Sequence, residues 1–138
     1  MTPDVDTAVL TCIRLCPEVL AAVADRVRPV VLGQGDRRPA ITYEPVEDDH
    51  FDGVDGSTSE YTLTTYDFDI YADTHTQARF ISEALRKHLH SSEFVAAGID
   101  CTWFCDGTRV VRDKPTDGAP APVYHIRQTY RLLWAAVD

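Results

Sequence analysis

Residues 60–89 read EYTLTTYDFDIYADTHTQARFISEALRKHL, and this stretch decides the fold. From Glu60 to Ala72 polar and apolar residues alternate, as in a half-buried β-strand. From about Thr74 to His90 the pattern becomes helical, and Asp73 or Thr74 can cap the helix. The helical stripe is Ala78, Ile81, Leu85 and Leu89, widened by Phe80, Ala84 and His88. A long strand that leads directly into a capped amphipathic helix is therefore predicted.

The strand is uneven along its length. Tyr66, Phe68, Ile70 and Ala72 share one face, whereas Tyr61 and Leu63 fall on the other. A shift of one residue exchanges the two faces of a strand. We therefore expect a bulge or twist near residues 64–65, or a first half that leaves the main sheet. The run could extend about 40 Å, so its outer half is predicted to project as a hairpin.

The rest of the chain supplies further elements of both kinds. A helix begins at Asp4 or Asp6, with Val9, Leu10, Ile13, Cys16 and Leu20 on its buried stripe. Pro17 either kinks this helix or opens a second one. The predicted strands are residues 27–32, 39–46, 99–105 (with 110–111 as a candidate continuation) and 123–137. The predicted connections are a turn at 33–36, a polar acidic loop at 47–59 and a loop at 113–122.

These elements predict a single α+β domain over residues 1–138. Its antiparallel sheet has about four to five strands, and two main helices pack on one face. A projecting hairpin carries the acidic loop. On the last strand, Tyr124, Ile126, Tyr130, Leu132 and Trp134 share one face, and His125, Arg127, Thr129 and Arg131 share the other.

The charge of the chain restricts its partners. The formal net charge is -9, which argues against wrapping nucleic acid, because phosphate binding needs clustered Lys and Arg. A negative wall does allow DNA to pass without sticking. No apolar run approaches the ~20 residues of a membrane span, and the acidic N-terminus lacks the basic region of a signal peptide. We expect assembly in the cytoplasm and no membrane partner.

The four cysteines form two Cys-x3-Cys pairs, Cys12/Cys16 and Cys101/Cys105. On a helix the first pair shares a face and could share a metal. On a strand the second pair is roughly 13 Å apart, too far for one zinc ion unless a bulge or turn intervenes. Burial as core thiols is the alternative, and it is favoured.

The acidic loop and the histidines are further candidates for chemistry. The loop lacks the alternating carboxylate order of a calcium site, so a solvated loop is favoured, with a lumen-facing or partner-facing loop next and calcium binding last. The histidines are His50, His75, His88, His90 and His125. No nucleophile motif accompanies them. The chain is predicted to have no catalytic residues, no cofactor and no metal.

Three segments together resemble a known family. They are CPEVL at 16–20 leading to residues 25–27, RPAITYEPV at 38–46, and YDFDIYADTHTQARFISEAL at 66–85. Their order and spacing resemble those of the tail-completion, or tail-terminator, proteins of long-tailed phages and related gene-transfer particles. The resemblance covers residues 15–134, and the acidic loop lies outside the family pattern.

The resemblance implies a structural subunit of a virion, not an enzyme. Such proteins form a ring, typically a hexamer, on the head-proximal end of the tail tube. The implied partners are copies of the chain, the major tail tube protein and the head–tail connector or stopper, with DNA passing unbound through the lumen. Two alternatives stay open: another connector component, such as a stopper or adaptor, and a small metal-binding enzyme.

A ring requires subunit contacts, and we place them on two groups of residues. The first is the acidic loop with the start of the long strand: Glu47, Asp48, Asp49, Asp52, Asp55, Glu60, Tyr61 and Leu63. The second is Arg127 and Arg131 on the last strand, which could meet the acidic loop of a neighbouring copy. The alternative for the arginines is a solvated face with ion pairs inside one chain.

Overall fold

The fold is known from a computed structural model, which describes residues 4–24, 26–29, 38–52, 58–111 and 124–136; at 50–52 and 58–60 only the backbone is described. The helices are α1 (Val5–Arg14), α2 (Pro17–Val23) and α3 (His75–Leu89). The strands are β1 (Val27–Pro29), β2 (Ala40–Asp52), β3 (Thr58–Ala72), β4 (Ser92–Ala96), β5 (Ile99–Val111) and β6 (Tyr124–Ala136). The predicted turn at 33–36 and the predicted loop at 113–122 lie outside the described residues.

The described strands form one sheet in the order β1-β2-β3-β6-β5-β4. The α+β class is confirmed, but the expected four to five strands are six. The pairing of β1 with β2 is parallel, and every other pairing is antiparallel. The strand missing from the sequence prediction is β4. It joins β5 through Ala97 and Gly98, which both have positive φ, as a two-residue hairpin turn requires. Ala97 is an unusual residue for that conformation, so the turn carried little sequence signal.

The helix boundaries follow from capping. The Asp4 side chain accepts a hydrogen bond from the Thr7 N–H, and Thr74 caps α3 in the same way through Gln77. Pro17 opens α2, the second of the two predicted outcomes. Two residues assigned to the buried stripes are in fact exposed, Leu20 and Phe80.

The core lies between the helices and one face of the sheet. Four aromatic side chains from the three central strands form its centre: Tyr66, Phe68, Trp103 and Tyr130, with neighbouring ring centroids 4.9–6.2 Å apart. Apolar residues of α1 and α3 pack on these rings, including Ile13, Ile81 and Leu85. We call this the helix side of the sheet, and the opposite side the outer face.

The predicted acidic loop is shorter than the sequence suggested. Residues 47–52 continue β2, and residues 58–59 already belong to β3. Acidic side chains on both faces are compatible with an exposed edge strand, which is why polarity alone misplaced the boundary. β3 pairs with β6 only as far as Thr62, so residues 58–61 pair with β2 alone among the described strands. The expected projecting hairpin is present in this form, and the expectation that the whole first half of the strand leaves the sheet is wrong.

The irregularity expected near residues 64–65 lies on the partner strand. Pairing shifts between Pro45 and Glu47 of β2, opposite Tyr66 and Thr65. β3 itself keeps its alternation, because Thr64 is buried on the same side as Tyr66. Leu63 lies on the outer face, where it pairs with Leu133 of β6.

Candidate assembly surfaces

The outer face carries a ladder of polar side chains on adjacent strands. Register places Asp67 opposite Thr129 and Asp69 opposite Arg127. The Thr129 hydroxyl donates to Asp67 over 2.8 Å, and the Arg127 guanidinium Nε donates to Asp69 over 2.8 Å. Each strand therefore supplies one half of every pair, so the ladder locks β3 to β6.

Asp69 is the buried centre of this ladder. Its Oδ1 lies 2.6 Å from Nε2 of His125, and both side chains are nearly inaccessible to solvent. Burial raises the pKa of the Asp69 carboxyl, but the hydrogen bonds from His125 and Arg127 outweigh it and hold the pKa below its ordinary value. Asp69 is therefore an ionised group with strong hydrogen-bond partners.

Both predicted interface arginines have carboxylate partners inside the chain. Arg127 binds Asp69, and Arg131 binds Asp106 over 2.9 Å with both side chains nearly half exposed. In the isolated chain, both arginines therefore form ion pairs within the chain, the alternative to contact with a neighbouring copy. That either arginine also contacts a neighbouring subunit stays a prediction.

Three of the acidic residues predicted to form an interface lie side by side on β2. Glu47, Asp48 and Asp49 of β2 are exposed. Asp48 accepts a hydrogen bond from the Thr64 hydroxyl, which in turn accepts one from the Trp134 indole N–H. This chain of bonds fixes the base of the hairpin. Of the other predicted residues, Tyr61 is exposed, Leu63 is half-buried, and Asp52 and Glu60 lie on paired strands; Asp55 lies outside the described residues.

Three of the four cysteines are buried, as the favoured assignment to core thiols predicts. Cys12 of α1 and Cys101 of β5 are both buried in the core, and the neighbouring Cys12 thiol, together with burial, raises the pKa of Cys101. Cys16 is also buried, and Cys105 is half-buried at the surface. Within the described ranges, no three His, Cys, Asp or Glu side chains are grouped to hold a metal ion.

The histidines whose contacts are described have structural partners. His88 Nε2 lies 3.0 Å from the carbonyl of Cys12, and His90 Nδ1 accepts the backbone N–H of Cys105 over 2.9 Å. His75 contacts the ring of Tyr124. These contacts join α3 and the residue that follows it to neighbouring elements.

The helix side also has a groove of mixed polar and apolar lining and two exposed apolar side chains. A groove of about 350 Å³ lies along α2 and α3. Its lining is Glu18, Phe80, Glu83, Ala84, Lys87 and His88. Phe80 is 55% exposed and Leu20 is 44% exposed. The helical pattern assigned both to the core, because apolar periodicity alone does not distinguish a buried stripe from an exposed one.

The comparisons with known proteins decide the family. Residues 7–134 match the family described as "Tail completion protein gp17".

The chain belongs to the tail completion protein gp17 family.

Tail completion proteins are structural, and this chain is accordingly a structural protein of a virion tail. A solved chain from the "Virion of native gene transfer agent (GTA) particle" shares the fold, with a TM-score of 0.56 and 16% identity. The alignment covers 93% of this chain and 92% of that chain. No curated protein matches. None of the described helices is both long and apolar enough to cross a membrane.

The sequence did not predict that Asp69, His125 and Arg127 form a cluster. The sequence placed His125 and Arg127 correctly on one face, with either an acidic neighbour or ion pairs inside one chain as partners for Arg127, but it did not predict a buried cluster. The available signal was the spacing of Asp67 and Asp69 between the aromatic residues of β3. Only the register of β3 against β6 brings those carboxylates to their partners, and register depends on long-range pairing.

Proposed function

We propose that this protein is a ring-forming subunit that terminates the tail tube and joins it to the head connector. The observation that carries the proposal is the family membership over residues 7–134. By analogy with the tail-terminator proteins that the sequence resembles, the ring is a hexamer. Its partners are copies of the chain, the major tail tube protein and the connector or stopper protein.

The structure supports an assembly role through what it leaves uncovered. The described residues include an open strand with exposed carboxylates, a hairpin that extends past β6, and exposed Phe80 and Leu20 on the helix side. These surfaces lie on different sides of one domain. A subunit between two neighbours in a ring, a tube below and a connector above needs several such surfaces.

The charge supports a passive relation to DNA. A net charge of -9 gives the ring a negative field, and a negative lumen does not bind phosphates tightly. DNA then moves through the channel without specific contacts. The proposed role is structural and requires no catalysis.

The proposal is tested by adding the purified chain to tail tube protein while tubes are growing. Tubes are expected to stop at shorter lengths as the chain is added, and native mass spectrometry is expected to show a closed oligomer. Bovine serum albumin at equal mass serves as the crowding control. Unchanged tube lengths, with no chain bound to tubes, would refute the proposal.

A further inference from the structure

The described strands leave two edges of the sheet without a partner strand, at diagonally opposite corners. β1 covers β2 only at Ile41–Tyr43, and β4 covers β5 only at Ile99–Trp103. Among the described residues, β2 at 44–49 has no partner strand on the side away from β3. We call this segment the β2 edge. The same holds for β5 at 106–111, which we call the β5 edge. Each edge offers backbone groups that a further strand can pair with.

The β5 edge carries one acidic residue, Asp106, which is paired with Arg131, and one basic residue, Arg109. Arg109 and Arg127 are directly opposite each other on β5 and β6. Arg127 binds Asp69, whereas Arg109 is exposed and has no ion pair within the described part of the chain. Like charges directly opposite on paired strands are destabilising. An additional carboxylate near Arg109 would relieve this repulsion.

The β2 edge shows the same arrangement with the opposite sign. Glu44 is directly opposite Asp67 of β3. Glu44 and Glu47 are exposed, and neither has an ion pair with a described residue. By register both lie on the outer face, as does Arg109. The two edges are therefore complementary in charge and carry that charge on the same face.

The geometry points to a head-to-tail contact between copies of this chain, in which the β5 edge of one copy pairs with the β2 edge of the next. The inference rests on the proposed ring and specifies its subunit interface. Along the sheet β2 and β5 run in opposite directions, so the new pair is antiparallel. Pairing of an edge with the same edge of another copy brings like charges together, so the head-to-tail arrangement is favoured.

The offset between the edges fits a closed ring of tilted strands. Across the sheet, Glu47 of β2 pairs with Thr65 of β3, which pairs with Arg131 of β6. On the other side, Arg109 of β5 pairs with Arg127 of β6. The offset of four residues along β6 is about 14 Å. Four strand spacings separate β2 from the next copy's β2, about 19 Å. Placing Glu47 opposite Arg109 gives a strand tilt of about 36°, within the range of closed β-barrels, whereas placing Glu44 there gives about 20°.

The corner below β4 has room for the incoming strand. A cleft of about 240 Å³ opens there, lined by Arg86, His90, Cys105, Asp106, Gly107 and Thr108. His90 already accepts the Cys105 N–H, so pairing begins after that residue. Residues 106–110 are all exposed, which leaves this part of the strand accessible.

Complementary charge reversals test the contact. One variant carries Arg109→Glu, and the other carries Glu44→Lys with Glu47→Lys. Each variant alone is expected to raise the dissociation constant of the oligomer by about tenfold or more. An equimolar mixture is expected to restore assembly, because each variant's altered edge then meets the other's complementary edge. Mass photometry measures the oligomers, and isotope labels in native mass spectrometry show whether the two variants alternate.

Three controls make the result decisive. Arg79→Glu makes the same charge reversal at an exposed position of α3, away from both edges, and this variant is expected to assemble as the wild type does. Arg109→Ala removes the charge without reversing it and replaces Arg109→Glu if that variant melts early. Circular dichroism verifies the fold of each variant.

Three outcomes would overturn the inference: reversed variants that assemble as the wild type does, a mixture that stays dissociated, or a wild-type chain that stays monomeric. A chain that caps tubes while its reversed variants assemble normally would refute the edge contact and keep the proposed function. Edge-dependent oligomers that ignore tubes would refute the proposed function alone.

Discussion

The helix side and the outer face of the sheet use the same strands for opposite chemistry. On the helix side, β3 and β6 contribute Phe68 and Tyr130 to an aromatic core. On the outer face, they contribute Asp69, the residue after Phe68, and Arg127, three residues before Tyr130, to an ionic ladder. The first face holds the domain together through buried area. The second holds the strands in register and leaves charge available at the edges.

Substitution in the aromatic core gives the largest effect. Phe68→Ala is expected to lower the free energy of unfolding by about 3–5 kcal/mol, because it leaves a cavity among three other rings. Phe80→Ala is the matched control at an exposed position, with an expected change within about 0.5 kcal/mol. Urea unfolding followed by tryptophan fluorescence measures both. Equal losses for the two variants would show that the faces are assigned wrongly.

Loss of the buried carboxylate on the outer face comes next. Asp69→Asn is expected to cost about 2–3 kcal/mol, because His125 and Arg127 lose their charged partner; the partial exposure of Arg127 reduces the loss. Asp67→Asn, which only weakens the bond from Thr129, is expected to cost about 0.5–1 kcal/mol. If Asp69→Asn were as mild as Asp67→Asn, the ladder would not have a buried centre.

The pH dependence of stability separates the two faces without relying on volume. The folded pKa of Asp69 is depressed, so the unfolded chain takes up its proton first as the pH falls below about 4. The stability from Asp69 is present above that pH and is lost as the pH falls through the folded pKa. Wild-type melting temperature is expected to fall more steeply than that of Asp69→Asn between pH 5 and pH 2. If the melting temperatures of both proteins fell in parallel, Asp69 would not be the cause of the loss of stability in acid.

The smallest effect belongs to the exposed ion pair. Arg131→Gln is expected to change the free energy of unfolding by no more than about 0.5 kcal/mol, because its bond to Asp106 is open to solvent and salt. Arg127→Gln is the comparison on the same strand, and a larger loss is expected because its partner is buried. Denaturant titrations at low and high salt measure both. If Arg131→Gln lowered the free energy of unfolding by more than about 1 kcal/mol in a salt-sensitive way, the cluster around Asp69 would extend along β6 to Arg131.

Local patterns predicted the elements whose chemistry is local. The caps at Asp4 and Thr74, the second helix at Pro17 and the two faces of β6 could all be read from the chain, because each depends on residues within one or two turns. The β4 strand could not, since its turn uses Ala97 at positive φ. The strand character of residues 47–52 was also hidden, since an edge strand tolerates charge on both sides.

The surfaces were predictable only in part. Glu47, Asp48, Asp49 and Tyr61 are exposed as expected. The burial of Asp69 and His125 depends on how β3 meets β6, and no residue within either strand encodes that register on its own. Phe80 shows the converse, because its helical spacing was correct and its exposure depends on what packs against α3.

Cryo-electron microscopy of tail tubes incubated with the purified chain tests the ring most directly. The expected image is a single closed ring of copies at one end of each tube, absent from tubes without the chain. Its strands should run continuously from the β5 edge of one copy to the β2 edge of the next. Bare tube ends in the presence of excess chain, or copies bound singly along the tube wall, would contradict it.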